Sequence, residues 1–464
     1  MNPLFLILIT PFIGALAALV APKKTRPYIF SGVLALETAL AVILSRGMST
    51  SRPASIKIDF SRWLDISFSA DGLSTFVALV FSFCGLLICL FSLSQAQELL
   101  EKKHFYAWMS LFTGAVVAAL FSTNLILLFF FLETAALCVL IEAGVYGREE
   151  LKFKIKNLFV SIFSLLLIVI SLVYIYFNNS TLQFDLLAAR PLNIFIAFLL
   201  CLALLLKTAQ AAYLSARGLY WQAALPQAVF LGTGVMTCLS AYIFARVFLL
   251  TFGDPALFYE ITAWTGVILL FGGAAFAWLA RDIKKIIYFC AFSQFGYILL
   301  SLSSRSDVSF RSALVYLAAQ ALALSGLFLC VDRVIQRTGK KNADELGGLI
   351  KYMPYTAAGF LMCTFSIVGI PPFLGFWPKF MNVLSSVQEG HIALEAMAVA
   401  GALWTLFYLV RLFNKVFLGE AAACIWQDRP NFADIIVLVI AGLCLVLGLL
   451  PGMSFDFLKF FIKI

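Results

Sequence analysis

Three ionisable side chains of this chain lie inside segments that are otherwise apolar. Glu133 is the acid, within the run FSTNLILLFFFLETAALCVLIEAGVY, and the bases are Lys207 and Lys379. A charged side chain at the centre of a bilayer costs roughly 2.5–3.5 kcal/mol on insertion scales, so it usually faces a partner or a water-filled path. An acid and two bases in separate apolar segments therefore indicate a path for protons or other ions. The alternative is a buried ion pair that only fixes helix packing.

Glu133 and Lys207 are predicted to lie close enough to interact, directly or through one water, because an unpaired charge in an apolar span is costly. A buried lysine is destabilised as a cation, and a neighbouring carboxylate restores the charged form. Separating the two side chains would therefore favour release of the Lys207 proton, whereas pairing them would hold it. Lys379 is predicted to be the terminal proton donor or acceptor of a second half-site.

Other polar side chains in the apolar segments are candidates for a relay. Tyr316, Gln320 and Ser325 share one segment and could pass protons together with trapped water, although none of them titrates near neutral pH. Glu142 follows Glu133 near the end of the same segment. It is either an accessory acid or an end charge that reaches towards solvent.

The composition is that of a polytopic membrane protein. Of the 464 residues, 62% are hydrophobic and only 12% are charged, and the mean hydropathy is +0.99. Soluble domains carry about 25% charged residues, so no water-soluble domain is predicted between the apolar runs. The formal net charge of +9 comes from basic residues in short connections, and it does not indicate binding to nucleic acid.

The cysteine and histidine content argues against metal and redox groups. The 10 cysteines are scattered through apolar stretches without any C-x-x-C spacing, so they are predicted to be small buried hydrophobes rather than disulfides or cluster ligands. The 2 histidines, His104 and His391, lie near segment ends, and no metal site is predicted. Because no cofactor motif is present either, the chain is predicted to carry no cofactor and to perform no electron transfer by itself.

Apolar runs of about twenty residues predict the transmembrane helices. The predicted spans, numbered 1 to 14, cover residues 3–21, 28–45, 73–95, 105–121, 123–146, 157–177, 193–216, 223–249, 261–280, 285–303, 311–333, 354–382, 393–418 and 433–452. The predicted fold class is therefore an all-α polytopic membrane protein with about 14 transmembrane helices. Residues 56–71 mix charged and aromatic side chains, which predicts a segment along the membrane interface.

Basic residues are distributed unevenly between the connections. Most lie in connections that follow odd-numbered spans, for example Lys102 and Lys103, or Lys340 and Lys341. Basic residues concentrate in cytoplasmic loops, so the odd-numbered connections, including residues 333–352, are predicted to face the cytoplasm. The protein is then predicted to lie in the cytoplasmic (inner) membrane with both termini outside.

The positions of Lys207 and Lys379 suggest an internal repeat, since they fall five spans apart, in spans 7 and 12. An odd separation reverses the direction of a helix, so spans 4–8 and 9–13 are predicted to form two inverted five-helix repeats. Such repeats with paired interrupted helices are common in ion transport, because freed backbone groups coordinate ions at mid-membrane. The predicted division is 1–103 for helices 1–3, 104–250 for the first repeat, 261–418 for the second repeat and 433–464 for helix 14.

Both lysine-bearing helices are predicted to be interrupted. The break in span 12 rests on two glycines and two prolines, which cannot sustain a continuous helix, and it should leave unpaired backbone groups near Lys379. The break in span 7 has no proline and rests on weaker signals. The residues concerned are Gly369, Pro371, Pro372 and Gly375 in span 12, and Ser215, Arg217 and Gly218 in span 7.

Short motifs follow one another over roughly residues 70–420. They are Asn124 to Glu133; Lys207, Thr208, Ala209 and Gln210; Asp282, Ile283 and Lys284 with Ser293, Gln294, Phe295, Gly296 and Tyr297; Leu346 to Leu349 with Met353 and Pro354, then Gly369, Ile370, Pro371, Pro372, Gly375, Phe376 and Lys379; and Arg411 to Gly419. In this order they resemble motifs of the antiporter-like membrane subunits shared by respiratory complex I, energy-converting membrane-bound hydrogenases and Mrp-type cation/proton antiporters. That family's signatures include K-S-A-Q, D-I-K-R…S-Q-x-G-Y and G-I-P-x-x-G-F-x-x-K.

The resemblance implies a proton- or sodium-translocating subunit of a multi-subunit, redox-driven complex of complex I-like or hydrogenase type. Glu133, Lys207 and Lys379 would then carry the ion path. The implied partners are other membrane subunits, among them further antiporter-like ones, peripheral redox subunits and lipid. Two alternatives stay open: a subunit of an Mrp-type sodium/proton antiporter, and a scaffold subunit that conducts nothing.

The chain departs from the family along the central polar axis. Positions at which the family carries histidines or lysines are occupied here by Gly232, Cys238, Tyr316, Gln320 and Leu324. Few titratable groups therefore remain between the two half-sites. The departures predict a partly degenerate channel and favour the scaffold alternative more than an intact set would.

Overall fold

A computed structural model of the chain describes residues 2–47, 54–59, 65–93, 104–146, 151–187, 190–216, 236–252, 255–304, 306–419 and 431–452. The helices, in chain order, are α1 (Pro3–Val20), α2 (Arg26–Gly47), α3 (Gly72–Leu93), α4 (Phe105–Phe121), α5 (Leu125–Tyr146), α6 (Leu151–Asn179), the short α7 (Phe184–Leu187), α8 (Ile194–Ala216), α9 (Met236–Ile243, continued by a π-helix Phe244–Thr251), α10 (Pro255–Leu279), α11 (Ile283–Leu302), α12 (Asp307–Thr338), α13 (Pro354–Val368), α14 (Phe376–Gln388), α15 (Ile392–Phe413, continued by a π-helix Asn414–Leu418) and α16 (Phe432–Leu449).

Apolar helices occupy all the predicted spans. Within the described residues, 9 helices are long and apolar enough to cross a membrane. The other predicted spans coincide with shorter apolar helices, which are Phe105–Phe121, Leu125–Ile141, Ile194–Gln210, Thr237–Thr251 and Pro354–Val368. The prediction of a multi-pass helical membrane protein is therefore confirmed.

Polar residues define the ends of the longer helices. The Ser306 side chain accepts from the Val308 amide at 3.1 Å and caps α12, and Gly339 ends that helix with a left-handed φ of +70°. Asn431 caps α16 in a reciprocal capping box with Asp434. These caps satisfy amide groups that the first turn of a helix leaves unpaired.

A two-stranded antiparallel hairpin lies between α2 and α3, in the stretch for which the sequence predicts a segment along the membrane interface. Its strands are β1 (Ser55–Asp59) and β2 (Asp65–Ser69). Both alternate between apolar and polar side chains, which is the period of a half-buried strand. An isolated hairpin is marginally stable, but here the Thr123 amide donates to Ser67 O at 3.2 Å and anchors the hairpin on the helices.

Predicted span 12 is interrupted, which confirms the expectation from its glycines and prolines. α13 ends at Val368, Gly369 takes a left-handed φ of +87°, and α14 begins at Phe376. A Cβ atom at Gly375 would lie 1.9 Å from Ser366 O, so only glycine fits at this turn. By contrast, α8 continues through Ser215 to its last described residue, Ala216. Arg217 and Gly218, on which the predicted interruption of span 7 also rests, lie outside the described part of the chain.

α16 covers the interrupted segment. Leu374 N donates to Cys444 O at 2.9 Å, and Trp377 Nε1 donates to Gly448 O at 2.7 Å. A Cβ atom at Gly448 would lie 2.2 Å from Pro372 O, so the two backbones are in direct contact. Backbone groups that a break leaves unpaired at membrane depth must be buried in protein, and α16 provides that cover.

α10 and α11 pack with their backbones in contact. A Cβ atom at Gly296 would lie 2.4 Å from Leu270 N and 2.5 Å from Gly266 O. Ser293 Oγ also donates to Leu270 O at 2.8 Å. Small residues permit this approach of transmembrane helices. α11 is thereby fixed against α10, and it also packs against α8 and α12, the helices that flank the two lysine sites.

Connections that follow odd-numbered predicted spans meet at one end of the bundle, and connections that follow even-numbered spans meet at the other end. Ala343 N, after α12, donates to Arg281 O, between α10 and α11, at 2.9 Å. At the opposite end, Ser304 after α11 donates to Glu389 after α14 at 2.7 Å. We call the end at which Arg281 and Ala343 meet the basic end. Which end faces the cytoplasm stays a prediction.

Candidate functional site

Glu133 and Lys207 form an ion pair between α5 and α8. Lys207 Nζ lies 2.7 Å from Glu133 Oε2 and donates to Ser161 Oγ of α6 at 2.8 Å. The side chains are 1% exposed for Lys207 and 12% exposed for Glu133. Glu133 Oε1 has no hydrogen-bond partner among the described residues. The predicted proximity of the two residues is confirmed, whereas their role in ion transport stays a prediction.

The two polar residues that follow Lys207 in its motif hold α8 in place. Thr208 Oγ1 and Ser240 Oγ lie 2.6 Å apart and connect α8 with α9. Gln210 Nε2 donates to Asn157 O at 2.7 Å and connects α8 with α6. Hydrogen bonds between transmembrane helices contribute roughly 0.6–2 kcal/mol each. These residues therefore position Lys207 and do not lie on the ion pair itself.

Lys379 lies where the interrupted helix ends. Its Nζ donates to Ile367 O at 2.8 Å and to Val368 O at 3.2 Å. The last carbonyls of a helix have no intrahelical donor and lie at the negative end of the helix dipole. The Tyr297 and Tyr316 rings cover Nζ, with centroids 4.6 Å and 4.9 Å away. The predicted freed backbone groups near Lys379 are confirmed.

The surroundings of Lys379 differ from those of Lys207 in charge. Within the described part of the chain no carboxylate lies at ion-pair distance from Lys379. The nearest side-chain acceptor is Gln294 Oε1 at 3.5 Å, which also accepts from the Tyr316 hydroxyl at 2.5 Å. Lys379 is thus held by carbonyls, rings and an amide, and all of these groups are neutral.

A second acid lies beyond Lys379. Asn382 follows Lys379 by one turn of α14, and its Nδ2 donates to Glu395 Oε1 of α15 at 3.0 Å. Asn382 is 0% and Glu395 4% exposed, and Tyr297 interacts with both. His391, an exposed residue before α15, lies near the Glu395 carboxylate. Polar side chains therefore continue from Lys379 to the end of the bundle opposite the basic end.

The predicted relay residues lie in two environments. Tyr316 belongs to the Lys379 site, and Gln320 lies one turn further along α12, with Nε2 3.5 Å from Ala291 O. Ser325 donates to Ala321 O, a carbonyl of its own helix, at 2.6 Å. Tyr316 and Gln320 therefore line the polar region beside Lys379, whereas the Ser325 hydroxyl already has a backbone partner.

The remaining axis positions are apolar where they are described. Cys238 and Leu324 are buried among hydrophobic side chains. Gly232 lies outside the described residues, as does the side chain of Glu142, although its backbone belongs to α5. The low polarity predicted for the axis therefore holds at Cys238 and Leu324.

Sequence reasoning missed Ser161, Asn382 and Glu395. Glu395 carried a signal, because it is an acid within predicted span 13, as Glu133 is within span 5. Ser161 carried none, since serines in apolar helices commonly bond to their own backbone. Gln294 stood in a recognised motif, but only the fold shows that it joins Tyr316 to Lys379.

Residues 122–405 match a family model described as NADH:quinone oxidoreductase/Mrp antiporter, transmembrane. The matched region contains Glu133, Lys207 and Lys379. The chain belongs to this family. The resemblance recognised in the motifs is confirmed, and this family member is an antiporter-like, multi-pass membrane subunit.

Curated relatives of this family member include components of sodium/proton antiporters and of quinone oxidoreductases. A Na(+)/H(+) antiporter subunit of Alkalihalophilus pseudofirmus is 26% identical over 450 residues, which are 93% of this chain and 90% of that protein. Antiporter subunit A1 of Staphylococcus haemolyticus is 25% identical and matches 91% of this chain. The chloroplastic NAD(P)H-quinone oxidoreductase subunit 5 of Zygnema circumcarinatum is 27% identical over 78% of this chain. The chain spans 57% of the A1 subunit and 54% of subunit 5.

Chains of three solved complexes share the fold. A chain of the membrane-bound sulfane sulfur reductase, an archaeal respiratory complex, superposes with a TM-score of 0.86 over 98% of this chain and 77% of its own length, at 22% identity. A chain of the Mrp complex from Dietzia sp. gives 0.83, with 99% and 96% coverage and 21% identity. A chain of respiratory complex I from Thermus thermophilus gives 0.79, with 99% and 100% coverage and 21% identity. The antiporter-like subunit fold is therefore common to all of them.

Proposed function

We propose that this chain translocates protons or sodium ions as a subunit of a multi-subunit, redox-driven energy-converting complex of complex I-like or membrane-bound hydrogenase type. The observation that carries the proposal is the buried Glu133–Lys207 pair, with 2.7 Å between Nζ and Oε2. Ionisable groups inside a helical membrane bundle default to ion or proton pathways. Membership of the NADH:quinone oxidoreductase/Mrp antiporter family supports this assignment.

The Glu133–Lys207 pair acts as a switch in this proposal. While the two side chains are paired, the carboxylate stabilises the ammonium group, and separation favours release of its proton. Ser161 Oγ, 2.8 Å from Nζ, is a hydroxyl that accepts from the ammonium group and donates to the neutral amine. Lys207 therefore keeps a hydrogen-bond partner in both protonation states.

Lys379 is the proton donor or acceptor of the second half-site. Because its described neighbours are neutral, loss of its proton leaves no unpaired carboxylate behind. Gln294 and Tyr316 connect it with α11 and α12, and Asn382, one turn along α14, leads to Glu395 of α15. A proton that leaves Lys379 thus has a carboxylate acceptor next along the chain of polar groups.

The proposal assigns electron transfer to other chains. Peripheral redox subunits would carry the cofactors, and other membrane subunits, among them further antiporter-like ones, would adjoin this chain. The motivation is that the sulfane sulfur reductase, Mrp and complex I structures that share the fold are assemblies. The proposed location is the cytoplasmic (inner) membrane with both termini outside, as the basic residues of the connections indicate.

An Mrp-type sodium/proton antiporter subunit is the second candidate. The observation that favours it is the antiporter subunit of Alkalihalophilus pseudofirmus, which aligns over 93% of this chain and 90% of its own length. Ion gradients alone would then drive transport. A list of the subunits that copurify with the chain separates the two candidates, because only the first includes redox proteins.

The test of transport is ion pumping by the purified complex in vesicles, measured together with redox turnover. We expect Lys207→Ala to reduce proton or sodium pumping only partly, because Cys238 and Leu324 weaken the axis and other antiporter-like subunits carry the remainder. The matched control is Lys340→Ala, which removes an exposed lysine at the basic end. Complete loss of pumping with redox turnover retained would refute the degenerate axis, and unchanged pumping would identify a scaffold.

A further inference from the structure

A cleft opens at the basic end of the bundle, between the ends of α10 and α15. Its lining includes Trp278, Arg281, Arg411, Leu412 and Lys415. Arg281 and Arg411 are exposed, and Lys415 is partly exposed. The cleft therefore brings cationic groups and an indole ring together on the outer surface of the helices.

The cleft has an excess of positive charge. Lys415 forms an ion pair with Asp344, and the positive charges of Arg281 and Arg411 also attract this carboxylate. The hydrogen bond from Lys415, followed by the two arginines, lowers the pKa of Asp344 from its usual value, so the carboxylate stays ionised at neutral pH. One carboxylate offsets one of three cations, and the rest of the charge is available to an anion.

The two arginines of the cleft have guanidinium N–H groups that are available to an anion. Arg411 Nη1 donates to Trp278 O at 3.1 Å, and its guanidinium carbon lies 4.8 Å from the centroid of the Trp278 ring. These contacts fix the guanidinium group while its other N–H groups remain unused by described residues. Arg281 donates no side-chain hydrogen bond to any described residue. Guanidinium groups are well suited to phosphate oxygens, since they offer paired donors in one plane.

Exposed apolar side chains continue from the cleft along both helices. On α15, Leu403 and Phe407 are 52% and 62% exposed and precede Arg411 at four-residue spacing, so all three share one face. On α10, Phe276 and Leu279 are 58% and 74% exposed. A ligand that covers both the cleft and these faces must have an anionic head and long apolar chains.

We infer that this cleft binds the phosphate group of an anionic phospholipid from the leaflet at the basic end. Arg281 and Arg411 contact the phosphate, Trp278 lies at headgroup level, and the acyl chains follow the exposed faces of α10 and α15. Basic pockets between transmembrane helices bind anionic headgroups, and tryptophan is enriched at this depth. An acidic segment of another subunit would satisfy the cations but would leave the apolar faces uncovered.

The test uses the purified complex in nanodiscs of phosphatidylcholine that contain a phosphatidylglycerol with a photoactivatable acyl chain. Cross-linked peptides are quantified by mass spectrometry. We expect labelling of residues 276–279 and 403–411, and a decrease of about tenfold or more in Arg281→Gln/Arg411→Gln, since each basic residue near an anionic surface contributes roughly a factor of five. Lys351→Gln, which removes an exposed cation outside the cleft, should leave the labelling unchanged.

Competition and charge-retaining variants identify the source of the phosphate. Arg281→Lys/Arg411→Lys should keep most of the labelling, and unlabelled phosphatidylglycerol should displace the probe. Displacement by inorganic phosphate at equal concentration would show that a free anion suffices, and would overturn the lipid assignment. Equal labelling by a photoactivatable phosphatidylcholine, or cross-links from the cleft to another subunit in place of lipid, would also overturn it.

Discussion

Lys207 and Lys379 are both buried, but they are stabilised by different groups. Lys207 has a carboxylate partner at 2.7 Å, whereas Lys379 has two backbone carbonyls, two aromatic rings and an amide. A charged partner can be removed by a single substitution, but the carbonyls of Ile367 and Val368 cannot. The two sites should therefore respond differently to mutation.

Glu133→Gln should destabilise the subunit because it leaves Lys207 as a buried cation without a counter-charge. The expected cost is about 3 kcal/mol at most, given that Glu133 is partly exposed. The double variant Glu133→Gln/Lys207→Met removes both charges and should recover most of the stability, while pumping stays at the residual level expected for Lys207→Ala. Thermal unfolding of the purified complex measures this. If the double variant were no more stable than Glu133→Gln alone, the unpaired charge of Lys207 would not be the cause of the destabilisation.

Glu395→Gln should lower pumping to the residual level of Lys207→Ala, because both residues lie in series on the proposed path. The amide oxygen still accepts from Asn382, so packing is retained while the protonatable group is lost. Glu389→Gln is the matched control, an exposed acid at the same end of the bundle. Normal pumping in Glu395→Gln would remove this residue from the path.

The ionisable residues of both half-sites could largely be predicted from the sequence, because charges in apolar runs are conspicuous. Glu133, Lys207 and Lys379 stand out for that reason. The partners that complete the sites could not be predicted, since a serine such as Ser161 or a backbone carbonyl such as Ile367 O carries no distinguishing signal. Such partners are defined by which helices become neighbours, and that is a property of the tertiary fold.

At the scale of the helices, the contact between α10 and α11 fixes the helix that carries Gln294. Gly296 approaches Leu270 N and Gly266 O so closely that a side chain has no room. The predicted boundaries of both helices agree with the structure to within a few residues at all ends except the start of α10. The sequence does not show which glycines lie at a contact between two helices, because Gly272 and Gly296 lie in similar apolar surroundings along the chain.

Gly296→Ala should destabilise the protein by about 2 kcal/mol, because a Cβ atom would force α10 and α11 apart. Gly272→Ala, for which a Cβ atom meets nothing within 4 Å, should be neutral or stabilise by up to about 1 kcal/mol through helix propensity. The measurement is the thermal midpoint of the complex in detergent. Equal shifts in the two variants would argue against backbone contact as the cause.

At the scale of the whole molecule, the connections divide into two sets that meet at opposite ends. The hairpin of β1 and β2 belongs to the end opposite the basic end, through its contact with Thr123. It was missed because only five residues of each strand alternate, and such a short pattern is overshadowed by the surrounding apolar runs. The alternation of ends along the chain was predictable, since each apolar run crosses the membrane once.

The orientation of the two ends can be tested by cysteine labelling in a Cys424→Ser background, because the other cysteines are buried. Lys340→Cys at the basic end should react with a membrane-impermeant maleimide only from the cytoplasmic side. Gln388→Cys at the opposite end should react only from outside. The reverse pattern would show that the charge bias has been misread and that both termini lie in the cytoplasm.

The cover that α16 provides has a consequence for how the protein is made. The backbone of the segment 369–375 is completed by Cys444 O, and Trp377 by Gly448 O, both of which leave the ribosome after Lys379. Until α16 inserts, the nascent chain lacks these partners and the second half-site is not closed. A partly synthesised chain therefore cannot form these hydrogen bonds, and the segment 369–375 acquires its partners only when α16 is in place.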